Sequence, residues 1–425
     1  MIDIEKLRTD AAPFRESVRR RGMDESLIDS VLELDTKWRE LLAKVEGLRG
    51  EQKKLGKEDI EKAKGIKAEI SNLDKDLKEV EARRLVLLQK LPNLLHADVP
   101  DGKDESENKV VRTWGEPTMF NFEPKDHMEI GEALGIIDTE QAAKVSGARF
   151  AYLKGAAAKL QFALIQMTID TLTNGKTISK IAKKIGVSAK PFEVVVPPVM
   201  IRPEVYEKMG RLTEEDKDER YKLAQDELYL IGSAEHTLGP LHMDQTLDAE
   251  KLPIRYLGYS TAFRREAGSY GKDTKGILRM HQFDKLEMES FTSPDDSDKE
   301  QDFIVALQEY LLQELGIPYQ VVQICTGDMG KPDNRQVDIE CWIPSQKKYR
   351  ETHTSDLMTD YQTRRLNIKV QNGKKKEFAH TNDATAFAIG RTLIAILENY
   401  QNEDGSVTVP KALRKYSGLK RIDAE

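Results

Sequence analysis

Phe263-Arg-Arg-Glu-Ala-Gly-Ser-Tyr-Gly-Lys-Asp-Thr-Lys-Gly-Ile-Leu-Arg-Met-His-Gln-Phe-Asp-Lys-Leu-Glu287 is the stretch on which the fold turns. It reads as a strand, a loop punctuated by Gly268, Gly271 and Gly276, and a return strand. Side chains alternate faces along a strand, so His281, Phe283, Lys285 and Glu287 should share one. An arginine ending one strand, beside a ring and a carboxylate on its neighbour, makes a platform for a nucleotide. The guanidinium grips phosphate oxygens in pairs, the ring stacks on a base, and the carboxylate takes a hydroxyl or cationic donor. A charged surface hairpin would carry the same residues.

Outward from this hairpin, further strands are expected at Glu193–Val196, Leu228–Ile231, Ser260–Arg265, Ile277–Phe291, Gln320–Cys325, Val337–Ile343 and Tyr349–Thr354. Helices are expected at Ala157–Leu172, Asp298–Leu315 and Ala386–Tyr400. Strands clustered as hairpins with few intervening helices favour an antiparallel sheet flanked by helices. No GxGxxG follows a strand and no GxxxxGK[ST] occurs, which disfavours Rossmann and P-loop nucleotide sites.

Two other segments carry chemistry. In Thr381-Asn-Asp-Ala-Thr-Ala-Phe-Ala-Ile-Gly-Arg391, small residues permit close backbone approach, and Arg391 emerges from an apolar face. A buried arginine needs an anionic partner, either a ligand or a side chain of the same chain. In Arg350-Glu-Thr-His-Thr354, a carboxylate with nearby hydroxyls suits Mg²⁺ beside substrate phosphates, or a plain solvated strand.

Before residue 92 the pattern is different. Leu34, Trp38, Leu41, Val45, Leu48 and Leu55 form one heptad seam, with Gln52 in the remaining slot. Ile66, Ile70, Leu73, Leu77, Val80, Leu87 and Leu91 form a second, interrupted by Arg84. Joined by the short turn around Gly56, Asp59 and Gly65, the two must pair antiparallel. Residues 51–90 hold 11 Lys/Arg and 9 Asp/Glu, a mixture that suits a solvated flank or an arm touching a large polyanion. The domains are therefore set at 1–100, with the hairpin at 34–91, a linker at 101–125 and a main domain at 126–425.

Composition narrows the class. The 425 residues include 66 Lys/Arg and 73 Asp/Glu, for a net charge of −7, which argues against a wholesale nucleic-acid coat. Two cysteines, Cys325 and Cys341, are too few for a disulfide framework or a four-thiolate site, and no zinc is expected. The acidic opening Met1-Ile-Asp-Ile-Glu-Lys does not resemble a signal peptide, and no apolar run approaches a membrane span. The expected compartment is the cytoplasm, with no membrane and no DNA partner.

Together these segments resemble a bacterial-type seryl-tRNA synthetase, a class II aminoacyl-tRNA synthetase, from end to end. MIDIEKLR, VRRRG and the helical hairpin are similar to that family's tRNA-binding arm. FRREAGSYGKDTKGILRMHQFDKLE is similar to its motif 2, and GRTLIAILENYQNEDGSVTVPKALRKY to its motif 3 and C-terminal tail. CTGDMG and WIPSQKKYRE are further family segments. The resemblance implies an α+β fold, with a class II antiparallel catalytic sheet flanked by helices and an N-terminal antiparallel coiled-coil hairpin. It implies a homodimer whose interface lies around Val194–Ile201. The implied reaction makes seryl-adenylate from L-serine and ATP with Mg²⁺, then loads the 3′ end of tRNA(Ser), with tRNA(Sec) as a further acceptor. The coiled-coil arm and the motif 2 loop, with Lys272 and Lys275, would contact the tRNA.

Carried over by position, the catalytic residues are Arg264, holding the α-phosphate and the serine carboxylate, and Arg391, on the γ-phosphate side. Arg265, Glu266, Met280, Phe283, Glu351, Thr352, His353 and Thr354 complete the expected ATP site, with Glu351 and Thr354 on Mg²⁺. Ser233, Ala234, Glu235, Arg264, Glu287 and Thr385 form the expected serine site. Departures cluster here. Glu351-Thr-His-Thr354 stands for the family's Glu-Ile-Ser-Ser, and Met209-Gly-Arg-Leu-Thr-Glu-Glu-Asp-Lys217 for Gly-Thr-Gly-Gln-Leu-Pro. Asp383-Ala-Thr-Ala386 stands for Asn-Gly-Ser/Thr-Gly, and residues 175–190 look inserted. Two other functions fit the same residues: a paralogue activating another small amino acid, and a catalytically silent RNA-binding homologue.

Overall fold

A computed structural model describes residues 1–56, 58–213, 216–267 and 276–424. The chain forms two compact units, Met1–Leu95 and His96–Glu425.

In the first unit two short helices precede α1 (Ser26–Gln52) and α2 (Ile60–Lys90). Val45, Ile66 and Ile70 pack together with Leu48, Leu55 and Leu73, as the heptad seams require. Arg84 pairs with Asp35 and Arg49 with Asp74, so one helix descends as the other climbs, and the two run antiparallel. The polar interruption of the seam is itself structural. Asp35, with its side chain 1% exposed, accepts from Arg8 Nε at 2.6 Å, Arg84 Nη1 at 2.6 Å and Arg39 Nε at 3.2 Å. The Arg84 guanidinium also lies 4.1 Å from the Trp38 ring centroid. A buried carboxylate with this many cationic donors fixes the helix register at one point.

The second unit is built on an eight-stranded sheet among the described residues. Its strands, numbered in chain order, are β1 (Lys109–Trp114), β2 (Glu193–Val195), β3 (Ile254–Phe263), β4 (Gln282–Thr292), β5 (Tyr319–Gln323), β6 (Arg335–Ile343), β7 (Lys348–Thr359) and β8 (His380–Ala388). Their spatial order is β1-β5-β6-β7-β8-β4-β3-β2, and every pairing is antiparallel except β2 with β3. Helices α3 (Gly155–Leu172), α4 (Ser297–Leu315) and α5 (Ile389–Asn399) contribute to the core that also receives Leu286, Met288, Ile339 and Phe387 from the strands. Helix α4 does more than fill space. Its buried Gln308 donates to the carbonyls of Thr354 and Thr385, and Gln301 to those of Arg335 and Ser355, tying β6, β7 and β8 together from behind.

Four expectations are corrected. The stretch 101–125 read as a linker contains β1, which pairs with β5 along the sheet edge. The return strand begins at Gln282 rather than Ile277, because Gly276 turns at φ +77 and Ile277 N–H donates to His127 Nε2. Residues 386–388 belong to a strand and the helix starts at Ile389. Leu228–Leu230 joins Met200–Ile201 and Lys222–Leu223 in a separate small sheet. The lysine-bearing segment after residue 175 is a helix, Gly175–Ile185, burying Ile178, Ile181 and Ala182 while its lysines face solvent. Among the described residues no helix is long and apolar enough to cross a membrane.

Candidate active site

Strands β4, β7 and β8, Arg264 just past the end of β3, and the start of α5 line a cleft of about 260 Å³. Alternation along β4 sends Phe283, Lys285 and Glu287 into it, while Leu286 and Met288 enter the core. The expected fourth member of that face, His281, precedes the strand and turns aside. Its Nδ1 lies 3.0 Å from the Arg264 carbonyl oxygen, and its ring packs on Phe150.

One end of the cleft is cationic. Arg264 donates from Nε to the Gly232 carbonyl at 3.1 Å and lies 5.4 Å from the Phe283 ring centroid. No carboxylate among the described residues pairs with it. Burial, then Arg220 and Arg391 nearby, hold its guanidinium below the ordinary arginine range, so an anion arriving here is favoured. Arg391 donates from Nη1 to the Glu351 carboxylate at 2.7 Å and to its carbonyl at 3.1 Å. Gly390 makes room for this corner: a Cβ there would meet the Ile277 carbonyl at 3.0 Å. Glu266, at φ +53, accepts from Arg279 and lines the cleft with Met280.

The wall at β7 is shaped by a bulge. Ile339 pairs with His353 while Glu340 pairs with Glu351, so an extra residue is inserted. Glu351 and Thr354, three apart, thereby both line the cleft, as does Thr352. His353 does not. Fully buried, it sets its ring against Phe387, with Nδ1 2.8 Å from the Thr352 hydroxyl. Burial pushes its ring pKa down to about 3, so it is a neutral packing residue and no part of the cleft wall.

The other end is acidic. Lys285 Nζ lies 2.5 Å from Glu287 Oε2 and donates to Ser233 Oγ at 3.0 Å, and that hydroxyl donates to Glu287 at 3.3 Å. Burial, against the opposing pull of Lys285, lifts the Glu287 carboxyl to about 7. Glu235 meets Arg211 Nε at 3.0 Å and His236 Nε2 at 3.4 Å. Gly232 N–H donates to His236 Nδ1, which places the ring proton on Nε2, facing Glu235. Burial opposes ionisation of Glu235, yet Arg211, His236 and Lys285 hold its carboxyl well below the usual range. Carboxylate oxygens of Glu235, Glu287 and Asp383 lie within 4.8 Å of one another, and Thr385 completes this end.

Of the expected residues, Arg264, Glu266, Met280, Phe283, Glu287, Glu351, Thr352, Thr354, Thr385, Arg391 and Glu235 line one cleft. Ser233 reaches it through Lys285 and Glu287. Ala234 packs in a neighbouring core, and the Arg265 side chain is not part of the wall, its N–H donating to Glu219 O. Lys272 and Lys275 lie outside the described residues. Sequence reasoning missed Lys285 and Arg211 as site residues. Lys285 was signalled by its alternation with Phe283 and Glu287; Arg211 carried no local signal beyond its place in a departing segment.

A cleft with arginines at one end and carboxylates at the other suits a polyphosphate joined to a small ammonium-bearing acid. Comparison with known proteins agrees in kind. The family model described as tRNA synthetase class II core domain (G, H, P, S and T) matches residues 219–400, and that described as Seryl-tRNA synthetase N-terminal domain matches residues 1–95. A protein of Streptomyces avermitilis named serine–tRNA ligase 1 is 41% identical over 436 residues, 99% of both chains. One of Thermosipho melanesiensis named serine–tRNA ligase is 42% identical over 449 residues, 99% of this chain and all of that one. The crystal structure of seryl-tRNA synthetase from Pyrococcus horikoshii complexed with ATP superposes with a TM-score of 0.91, at 37% identity and full coverage of both chains.

Proposed function

The chain belongs to the seryl-tRNA synthetase family, and from that premise we infer that it activates L-serine with ATP and transfers the seryl group to tRNA(Ser). A serine carboxylate oxygen attacks the α-phosphorus. The bond from that phosphorus to the bridging oxygen breaks, releasing pyrophosphate and leaving seryl-adenylate. A hydroxyl at the 3′ end of tRNA then attacks the seryl carbonyl and AMP departs. The carboxylate needs no general base, so the enzyme works by positioning and by stabilising charge on the α-phosphate.

The observation that carries this reading is the polarity of the cleft. Arg264, half-buried and without a carboxylate partner among the described residues, takes the α-phosphate and the serine carboxylate. Phe283 and Met280 flank the adenine, Glu266 accepts from its amine, and Arg391 takes the far phosphates. At the acidic end Glu235 receives the substrate ammonium, while Glu287 and Thr385 receive the hydroxyl. Alanine would leave those groups unpaired and is rejected on that account.

The Glu351 carboxylate and Thr354 hydroxyl form an all-oxygen donor set that fits Mg²⁺. The buried Asp338 lies close enough that Glu351, after burial itself, raises its carboxyl well above the usual range, a concentration of negative charge that a cation relieves. Bound there with the nucleotide, Mg²⁺ supplies charge neutralisation at the phosphates.

The remaining assignments rest on family membership and composition. The N-terminal hairpin contacts the tRNA through its shape. The apolar Val194, Val196 and Met200, all exposed, support a homodimer interface around Val194–Ile201. The enzyme works in the cytoplasm. The test is amino-acid-dependent ATP–pyrophosphate exchange with serine, threonine, alanine, glycine and cysteine. Exchange with serine alone is expected. Exchange only with another amino acid, or with none from folded protein, overturns the reading.

A further inference from the structure

The acidic end holds more carboxylates than serine recognition needs. In the register of the central strands Glu289 on β4 pairs with Asp383 on β8, and Asp383 with Asp356 on β7. Three acids therefore stand in one row across three adjacent strands, all buried. Like charges directly opposite destabilise a sheet, and both carboxylate oxygens of Glu289 lack a hydrogen-bond partner. Burial drives such acids toward their neutral forms, and the charge that any of them keeps is met from outside the sheet by Arg211. Helix Pro203–Lys208 ends at Met209, Gly210 turns the chain at φ +73, and Arg211 points inward.

The guanidinium is caged unevenly. Its Nη2 stands 3.6 Å from Asp356 and 3.8 Å from both Asp383 and Asp333, while its Nε stands 3.0 Å from Glu235. Three acids hold it at arm's length and one touches it. We propose that Arg211 is a positioning residue for amino-acid recognition: caged by buried acids, it keeps the Glu235 carboxylate charged and aimed at the substrate ammonium. This rests on serine activation as the function of the cleft. Without Arg211, Glu235 would face Glu287, Glu289, Asp356 and Asp383, with Lys285 already committed to Glu287 and Arg264 across the cleft. His236 beside it is neutral, its pKa pushed down to about 4 by burial. Glu235 would then take a proton, and a protonated carboxyl cannot pair with an ammonium.

Serine-dependent pyrophosphate exchange at saturating ATP, run from mildly acidic to mildly alkaline pH, tests this in wild type, Arg211→Gln, Arg211→Lys and the double variant Arg211→Gln with Asp383→Asn. Thermal melts confirm folding. In Arg211→Gln the KM for serine should rise roughly tenfold to a hundredfold, the KM for ATP staying near wild type. Measured as the ratio to wild type at each pH, that rise should shrink as pH increases and Glu235 regains its charge. Arg211→Lys, and the double variant that removes one acid with the cation, should each recover much of the loss. A serine KM unchanged in a folded Arg211→Gln, or raised equally at all pH, overturns the inference while leaving serine activation intact. Should Arg211→Gln fail to fold, the double variant and Arg211→Lys decide: a wild-type pH profile of serine KM in both supports the inference, and a raised, pH-independent KM in both overturns it. Absence of serine-dependent exchange in wild type overturns both readings.

Discussion

Arg264 is half-buried beside the cations Arg220 and Arg391, a costly position unless an anion is expected. Arg264→Ala should lower pyrophosphate exchange by about a hundredfold to a thousandfold with little change in melting temperature, because no carboxylate loses its partner. A variant retaining near-normal exchange would remove Arg264 from its assigned role. Glu289 gives the opposite kind of prediction, one of stability. Burial, then Asp383, Glu235 and Glu287, raise its carboxyl well above the usual range, so folding takes up a proton there. An acid whose native pKa is raised loses stability as pH climbs from its unfolded value through its native one. Glu289→Gln cannot lose a proton, so it should melt higher than wild type at alkaline pH and nearly equally at acidic pH, as calorimetry across pH would read. Equal melting at both ends would contradict the buried, unpartnered environment. At this scale the sequence was most legible where motif residues stand on regular strands. Arg211 was illegible because its significance lies in acids 122 to 172 residues downstream, which only strand pairing gathers, while Glu235 alone lies nearby in the chain.

Among the elements, β7 shows why spacing alone misleads. Strict alternation would put Glu351, His353 and Ser355 on one face; the bulge moves Glu351 to the face of Thr354 and sends His353 into the core. Backing that bulge, Gln308 holds the carbonyls of Thr354 and Thr385. Gln308→Leu should cost about 1–3 kcal/mol in denaturant unfolding and raise the KM for ATP, because buried carbonyls are left without donors. A variant as stable as wild type would show that those carbonyls find other partners. In the hairpin, Asp35→Ala strands Arg8 and Arg84 and should destabilise the N-terminal unit by about 3 kcal/mol or more, seen as an earlier loss of helical circular dichroism. The amphipathic elements were readable before any coordinates: both long helices and most hairpin strands follow their apolar periods. Strand β8 was not, because a central strand buried on both faces has no alternation, and its alanines and threonines read like the start of the helix that follows. Strand β1 hid for another reason. It is an exposed edge strand, every residue open to solvent, and its hydrophobicity is too thin to stand out from the acids and prolines around it.

For the whole molecule, the division at Leu95 separates two tasks. Removing residues 46–74 and closing the cut with a short glycine-containing turn preserves the Asp35–Arg84 anchor. The shortened protein should activate serine normally and fail to charge tRNA(Ser) in an aminoacylation assay; undiminished charging would show that the arm is dispensable. A further consequence comes from the charge layout of the cleft, and it concerns what leaves after chemistry rather than what binds before it. Under the proposed assignments, once the α-phosphorus changes partners, pyrophosphate is held chiefly at the Arg391 corner, where the neighbouring Glu351 side chain is about half exposed and ready to reclaim its arginine. Under the same assignments seryl-adenylate keeps its ammonium on Glu235 and its one phosphate on half-buried Arg264. Departure is thus ordered: the outer product escapes while the reactive intermediate is retained, sheltered from hydrolysis until an acceptor hydroxyl arrives.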